Sequence, residues 1–182
     1  VERAWCHDAS SFGKVTDTQF ISELMLVVLE NKALGFDQDV LDDLYAKYDD
    51  PDEELEDFSM DEFRERYERT KATLLAMERQ ERVVTAWAKG VGAFYSLWTV
   101  IALHADGEID AASLAGRYAG FMRQVDELAG QVDLEAFFLR EGVTPTGYRL
   151  ALRYLDNARG ASTDLAQRQA RVDALREAIL QP

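Results

Sequence analysis

Three short stretches hold residue types that could do chemistry. "WCHDA" sets Cys6, His7 and Asp8 side by side, the residue types of an activated thiol or a metal site. Adjacent residues do not converge on one substrate atom, and the only other histidine is His104, so neither is expected. "HADGEID" places Asp106, Gly107, Glu108, Ile109 and Asp110 at the fifth to ninth positions of a calcium loop, with glycine at the sharp turn. The first position would be Ala102, the third His104 and the twelfth Ser113. Without the opening carboxylate and the bidentate glutamate no hard-cation shell forms. The stretch instead predicts a helix end with His104 in its last turn, a Gly turn, and a new helix beginning at Ile109 and Asp110. "FGKVTD" has a Gly-Lys pair but neither the upstream glycine nor the following hydroxyl of a phosphate loop. No Glu-x-x-His pair occurs, which argues against a di-iron bundle.

One polar cluster is left. Arg168 and Arg171 lie three apart, and Arg149 and Arg153 four apart, each pair on one face of its helix. These four are the candidate nucleic-acid contacts. The competing account is surface salt bridges with Asp156, Asp164 and Asp173. No catalytic residue, cofactor or metal ligand is predicted.

The elements that would position these residues read as helices throughout, with no sustained two-residue alternation. Thr16 and Gln19 have capping-box spacing ahead of Phe20, Ile21, Leu24, Val27 and Val28. "DQDVLDDLYAKYDD" turns Val40, Leu41, Leu44, Tyr45 and Tyr48 to one side, and Pro51 ends it. Ser59 and Glu62 open a long helix to about Lys89. "GAFYSLWTVIAL" is the most apolar stretch. Its 11 residues from Ala93 to Leu103 are too short for the roughly 20 of a membrane span, so a helix at the centre of the bundle is predicted. Gly116 and Gly120, one turn apart in the next helix, predict a close approach by a neighbour. Asp133 caps "LEAFFLREG", Thr144 with Pro145 opens another helix, and Ser162 or Thr163 starts the last, burying Leu165, Val172, Leu175 and Ile179. The expected fold is all-α: a single bundle of seven or eight helices over residues 1–182.

Of the 182 residues 47% are hydrophobic, which suits an ordinary globular domain, and the net charge is −14. Fifteen acidic residues fall between Asp37 and Glu68, against Lys47, Arg64 and Arg66. That balance argues against polyanion binding by the whole surface, and a solvated acidic face is the expectation. From Arg140 onward seven arginines face five acids, leaving room for a local basic face. One cysteine, Cys6, rules out an intrachain disulfide. Val1 in place of an initiator Met reads as part of a longer protein. With no charged region ahead of an apolar one at the start, a cytoplasmic location without membrane contact is expected.

Four stretches in order, "FGKVTDTQFISELMLVVLENK", "LDDLYAKYDD", "GAFYSLWTVIAL" and "ALRYLDNARGASTDLAQRQARVDALREAIL", resemble the helical region downstream of the ParB-like domain in GmrSD-type restriction and phage-defence proteins. That family's Asp-Gly-Gln-Gln-Arg signature does not occur, and two isolated histidines cannot build an HNH nuclease site. What the resemblance implies is therefore a non-catalytic helical portion. It would position or regulate an N-terminal ParB-like nuclease or NTPase domain and contact DNA weakly. The alternative is a stand-alone acidic adaptor that docks on a protein partner through residues 37–68.

Overall fold

Apolar residues at helical spacing can leave water only by stacking helix on helix, and that is the architecture seen. The computed structural model describes residues 14–35, 38–49, 58–80, 82–104, 110–159 and 163–181. Among them are nine α-helices and no strand: α1 Lys14–Glu30, α2 Gln38–Lys47, α3 Met60–Glu78, α4 Val83–Trp87, α5 Val91–Ala102, α6 Ala111–Ala129, α7 Leu134–Glu141, α8 Arg149–Asp156 and α9 Leu165–Leu180. A 3₁₀ turn, Pro145–Tyr148, leads into α8. None of the described helices is long and apolar enough to cross a membrane.

The quoted apolar stretch is α5, in which every residue from Tyr95 to Ala102 is buried. It packs against α1, α3 and α9, while α9 also packs on α6 and α8. Apolar around most of its circumference, α5 requires a neighbour on each side. The Trp98 indole Nε1–H donates to Leu24 O at 2.9 Å, so the largest ring in the helix is satisfied as well as buried. Phe94 and Tyr67 flank it, at ring-centroid distances of 6.4 and 5.3 Å.

Caps delimit several elements. Ser59 Oγ accepts from Glu62 N, Asp110 from Ala112 N and Asp133 from Ala136 N, each satisfying an amide that the helix itself cannot. At α9 the cap is Asp164, which accepts from Gln167 N, one residue beyond the expected Thr163.

Several expectations are corrected. The helix expected to run to Lys89 ends at Glu78, and α4 restarts after Arg82, whose φ of 56° lies in the left-handed region. Glu78 accepts from the amide and the hydroxyl of Thr85 at 2.9 and 2.5 Å, which holds the two helices at this corner. α1 begins two residues ahead of the expected Thr16 cap. Gly116 and Gly120 make no close approach, since a Cβ at either would meet nothing within 4 Å. The tight glycine is Gly35, where a Cβ would lie 2.8 Å from Leu165 Cβ and 2.9 Å from its backbone N. Leu165, expected inside, is 50% exposed, as is Ile21. Tyr45 is exposed too.

Candidate functional site

α9 carries Arg168 in register with Val172, Leu175 and Ile179, a spacing that puts all four on one helical face. Glu23 sits on α1 beside Leu24, Val27 and Val28 on the buried side. Two ionic side chains on inward faces must meet or else carry a large desolvation cost. They meet. Arg168 Nη2 donates to Glu23 Oε2 at 2.8 Å, with side-chain exposures of 0% and 5%.

Around this pair the contacts converge on one backbone residue. Arg168 Nη1 donates to Leu34 O at 3.2 Å. The Tyr95 hydroxyl accepts from Leu34 N at 2.8 Å and donates to Leu34 O at 3.0 Å. The guanidinium carbon lies 4.0 Å from the Tyr95 ring centroid, a cation–π geometry between two fully buried side chains. One cluster thus joins α1, the turn after it, α5 and α9. Burial raises the Tyr95 hydroxyl pKa, against opposing pulls from the Leu34 backbone bond and from Arg168. The phenol therefore stays a neutral donor.

Arg171, one turn on and 3% exposed, has a separate set of partners. Its Nη1 donates to Asn157 O at 2.6 Å and its Nε to Ser96 Oγ at 3.4 Å. Ser96 in turn donates to Gly92 O at 2.8 Å. Burial pulls the Arg171 pKa below the usual arginine value; a guanidinium nevertheless remains a cation in proteins. Arg168 and Arg171 are thus interior braces, which corrects their expectation as nucleic-acid contacts: a guanidinium sealed from solvent cannot reach a phosphate. Arg149 and Arg153 do lie outside, but α9 carboxylates meet them. Arg149 pairs with Glu177, and Arg153 lies 3.6 Å from Asp173, which also holds Arg176 at 3.0 Å. Asp173 was among the expected partners; Glu177 was not.

A second polar cluster ties α2 to α1. Glu30 accepts from Lys47 Nζ at 2.5 Å and from the Tyr48 hydroxyl at 2.9 Å, with Lys32 at 3.2 Å. Burial pushes the Glu30 carboxyl up, but the bonds from Lys47, Tyr48 and Lys32 outweigh it and hold its pKa below the usual carboxylate value. The bond to Glu30 raises the Lys47 pKa.

The arrangement has little reactive chemistry. The Arg168 guanidinium does not meet solvent, and Glu23 is held by it. Among the described residues no three His, Cys, Asp or Glu side chains gather as a metal site. His104 is exposed just beyond α5. Asp110, the only residue of the calcium-like match inside the described part, caps α6 through its carboxylate. Cys6, His7 and Asp8, residues 105–109, and the acidic residues 37 and 50–57 lie outside the described residues. Glu23 and Arg168 were legible in principle: both are charges on an apolar stripe, which demands a partner. No family model, curated protein or solved structure matches the chain.

Proposed function

We propose that the chain is a non-catalytic helical module of a GmrSD-type restriction or phage-defence protein, which positions or regulates a ParB-like nuclease or NTPase domain. The family part rests on the four resembling stretches. The non-catalytic part is carried by one observation: buried Glu23 and Arg168 pair with each other, and both buried arginines bond backbone carbonyls, as a rigid support does. The DNA-contact part narrows to Arg149 and Arg153, and each already faces a carboxylate, so positioning a protein domain is the main role. Calorimetric titration of the chain with a ParB-like domain from a GmrSD-type protein tests this. Saturable binding is expected, with no nucleotide hydrolysis or DNA cleavage by the chain alone. Absence of binding overturns the module reading, and intrinsic hydrolysis overturns the non-catalytic one.

One observation favours a second reading, the acidic adaptor. Asp39, Asp43, Asp61, Glu62, Glu65 and Glu68 are all exposed on α2 and α3. Such a surface would recognise a basic protein, with affinity falling steeply as salt rises. A partner whose binding is indifferent to salt would count against it.

A further inference from the structure

The close helix pairs of the bundle are α1 with α3 and α5, α3 with α4, α5 and α6, α4 with α6, α8 with α6 and α9, and α9 with α5 and α6. Neither α2 nor α7 belongs to one of them. α7 is nevertheless fixed by two buried rings, Phe137 and Phe138. The described side chains of α2 include a single buried one, Leu41. Leu44 and Tyr48 complete its inner stripe and are only partly buried against the core. The opposite side, with Asp39, Asp43, Tyr45 and Ala46, is exposed.

What fastens α2 is its last turn. Glu30, at the end of α1 and 10% exposed, accepts from Lys47 and from the Tyr48 hydroxyl just beyond α2. Lys47 is the only cation in α2, against Asp39, Asp42 and Asp43. Bonds to a charged acceptor are the stronger kind, and here they hold an acidic helix on a chain of net charge −14. The chain on the α1 side cannot follow α2. Leu34 is bonded at its N–H and its C=O by the Tyr95 hydroxyl, and at its C=O by Arg168 as well. A helix of ten residues is shorter than the roughly 12–15 needed to persist alone in water, so α2 unwinds once it leaves.

We infer that α2 is a latched flap: it leaves the bundle as a unit while the other helices stay folded, and the Glu30 bonds to Lys47 and Tyr48 set how often. Opening frees the stripe of Leu41, Leu44 and Tyr48 together with the Glu30 carboxylate. Release of α2 costs less than global unfolding, because it gives up one buried leucine and the latch and leaves the core intact.

Native-state hydrogen exchange of the whole chain at neutral pH, read amide by amide, tests it. Amides of residues 42–48 should be protected, yet exchange faster than those of α5 and α9 and with a weaker dependence on urea. Two variants separate a flap from a part of the global unit. Ile179→Val, a mild change at a fully buried position, should speed exchange in α5 and α9 by about two- to tenfold. It should leave residues 42–48 unchanged, since the body is intact whether α2 is docked or open. Glu30→Gln should speed residues 42–48 by about tenfold, because only the docked form loses the latch. An Ile179→Val protein in which residues 42–48 accelerate as much as α5 overturns the inference. So does Glu30→Gln without effect on α2, or α2 amides that exchange at the pace of a free peptide.

Discussion

Removing one member of the Glu23–Arg168 pair should destabilise the protein far more than removing both. Glu23→Leu leaves a cation with no exposed surface and no counter-charge. Breaking a buried pair in this way costs about 3–5 kcal/mol. Arg168→Met strands the carboxylate instead and forfeits the bond to Leu34 O and the stacking on Tyr95, a loss of similar size. Leu34 O retains its bond from the Tyr95 hydroxyl, so no backbone acceptor is orphaned and the single loss stays within that range. For a chain of this length each kcal/mol lowers Tm by about 2–4 °C, so either variant should melt about 6–20 °C lower. The double variant E23L/R168M removes both desolvation costs and fills the site with apolar volume. It should lie within about 2 kcal/mol of the parent, or above it. Urea unfolding at pH 7, with parallel slopes among the four proteins, measures the cycle. Single losses below about 1 kcal/mol would refute the claim that the pair is desolvated, and a double variant as unstable as the sum of the singles would refute direct coupling.

Further outcomes are expected. Tyr118 is buried with a hydroxyl that has no hydrogen-bond partner among the described residues, so Tyr118→Phe should be neutral or stabilising by chemical denaturation. Tyr95→Phe, which strands the Leu34 amide, should cost about 1–3 kcal/mol. Gly35→Ala should destabilise by about 1–3 kcal/mol, since its Cβ would collide with the Leu165 backbone N at 2.9 Å; Gly116→Ala, in an open helical position, should stabilise by about 0.5–1 kcal/mol in the same assay. The Glu30 carboxyl is held below its usual value and the Lys47 ammonium above its own. The tether of α2 is therefore fully present above the ordinary carboxylate pKa and below the ordinary lysine pKa. It is lost as pH falls through the lowered value or rises through the raised one. Glu30→Gln should accordingly lower Tm at about pH 7, and its difference from the parent should shrink as pH falls through the lowered carboxyl value; a difference that stays undiminished as acid is added would contradict the assignment.

Helical periodicity and capping residues were enough to read the all-α class, the central place of Ala93–Leu103, the caps at Ser59 and Asp133, and a helix start near Asp110. These depend on interactions within a few residues of one another, which the order of residues contains. The boundary at Arg79–Arg82 was hidden because the apolar stripe from Phe63 to Trp87 continues across it, while the turn rests on one left-handed residue and on Glu78 capping a helix seven residues on. Which glycine is tight could not be read either. Gly116 and Gly120 have the spacing of a packing seam, yet only the folded chain brings the start of α9 against Gly35. The arginines carry the same lesson. Their spacing showed two pairs on two helix faces, and a face becomes inside or outside only when another helix covers it. Arg168 shares its stripe with Val172, Leu175 and Ile179, so the register already demanded burial; what it could not name was Glu23, 145 residues away along the chain. Local periodicity determines that a charge must be satisfied, and tertiary packing alone decides which distant carboxylate and which backbone carbonyl satisfy it.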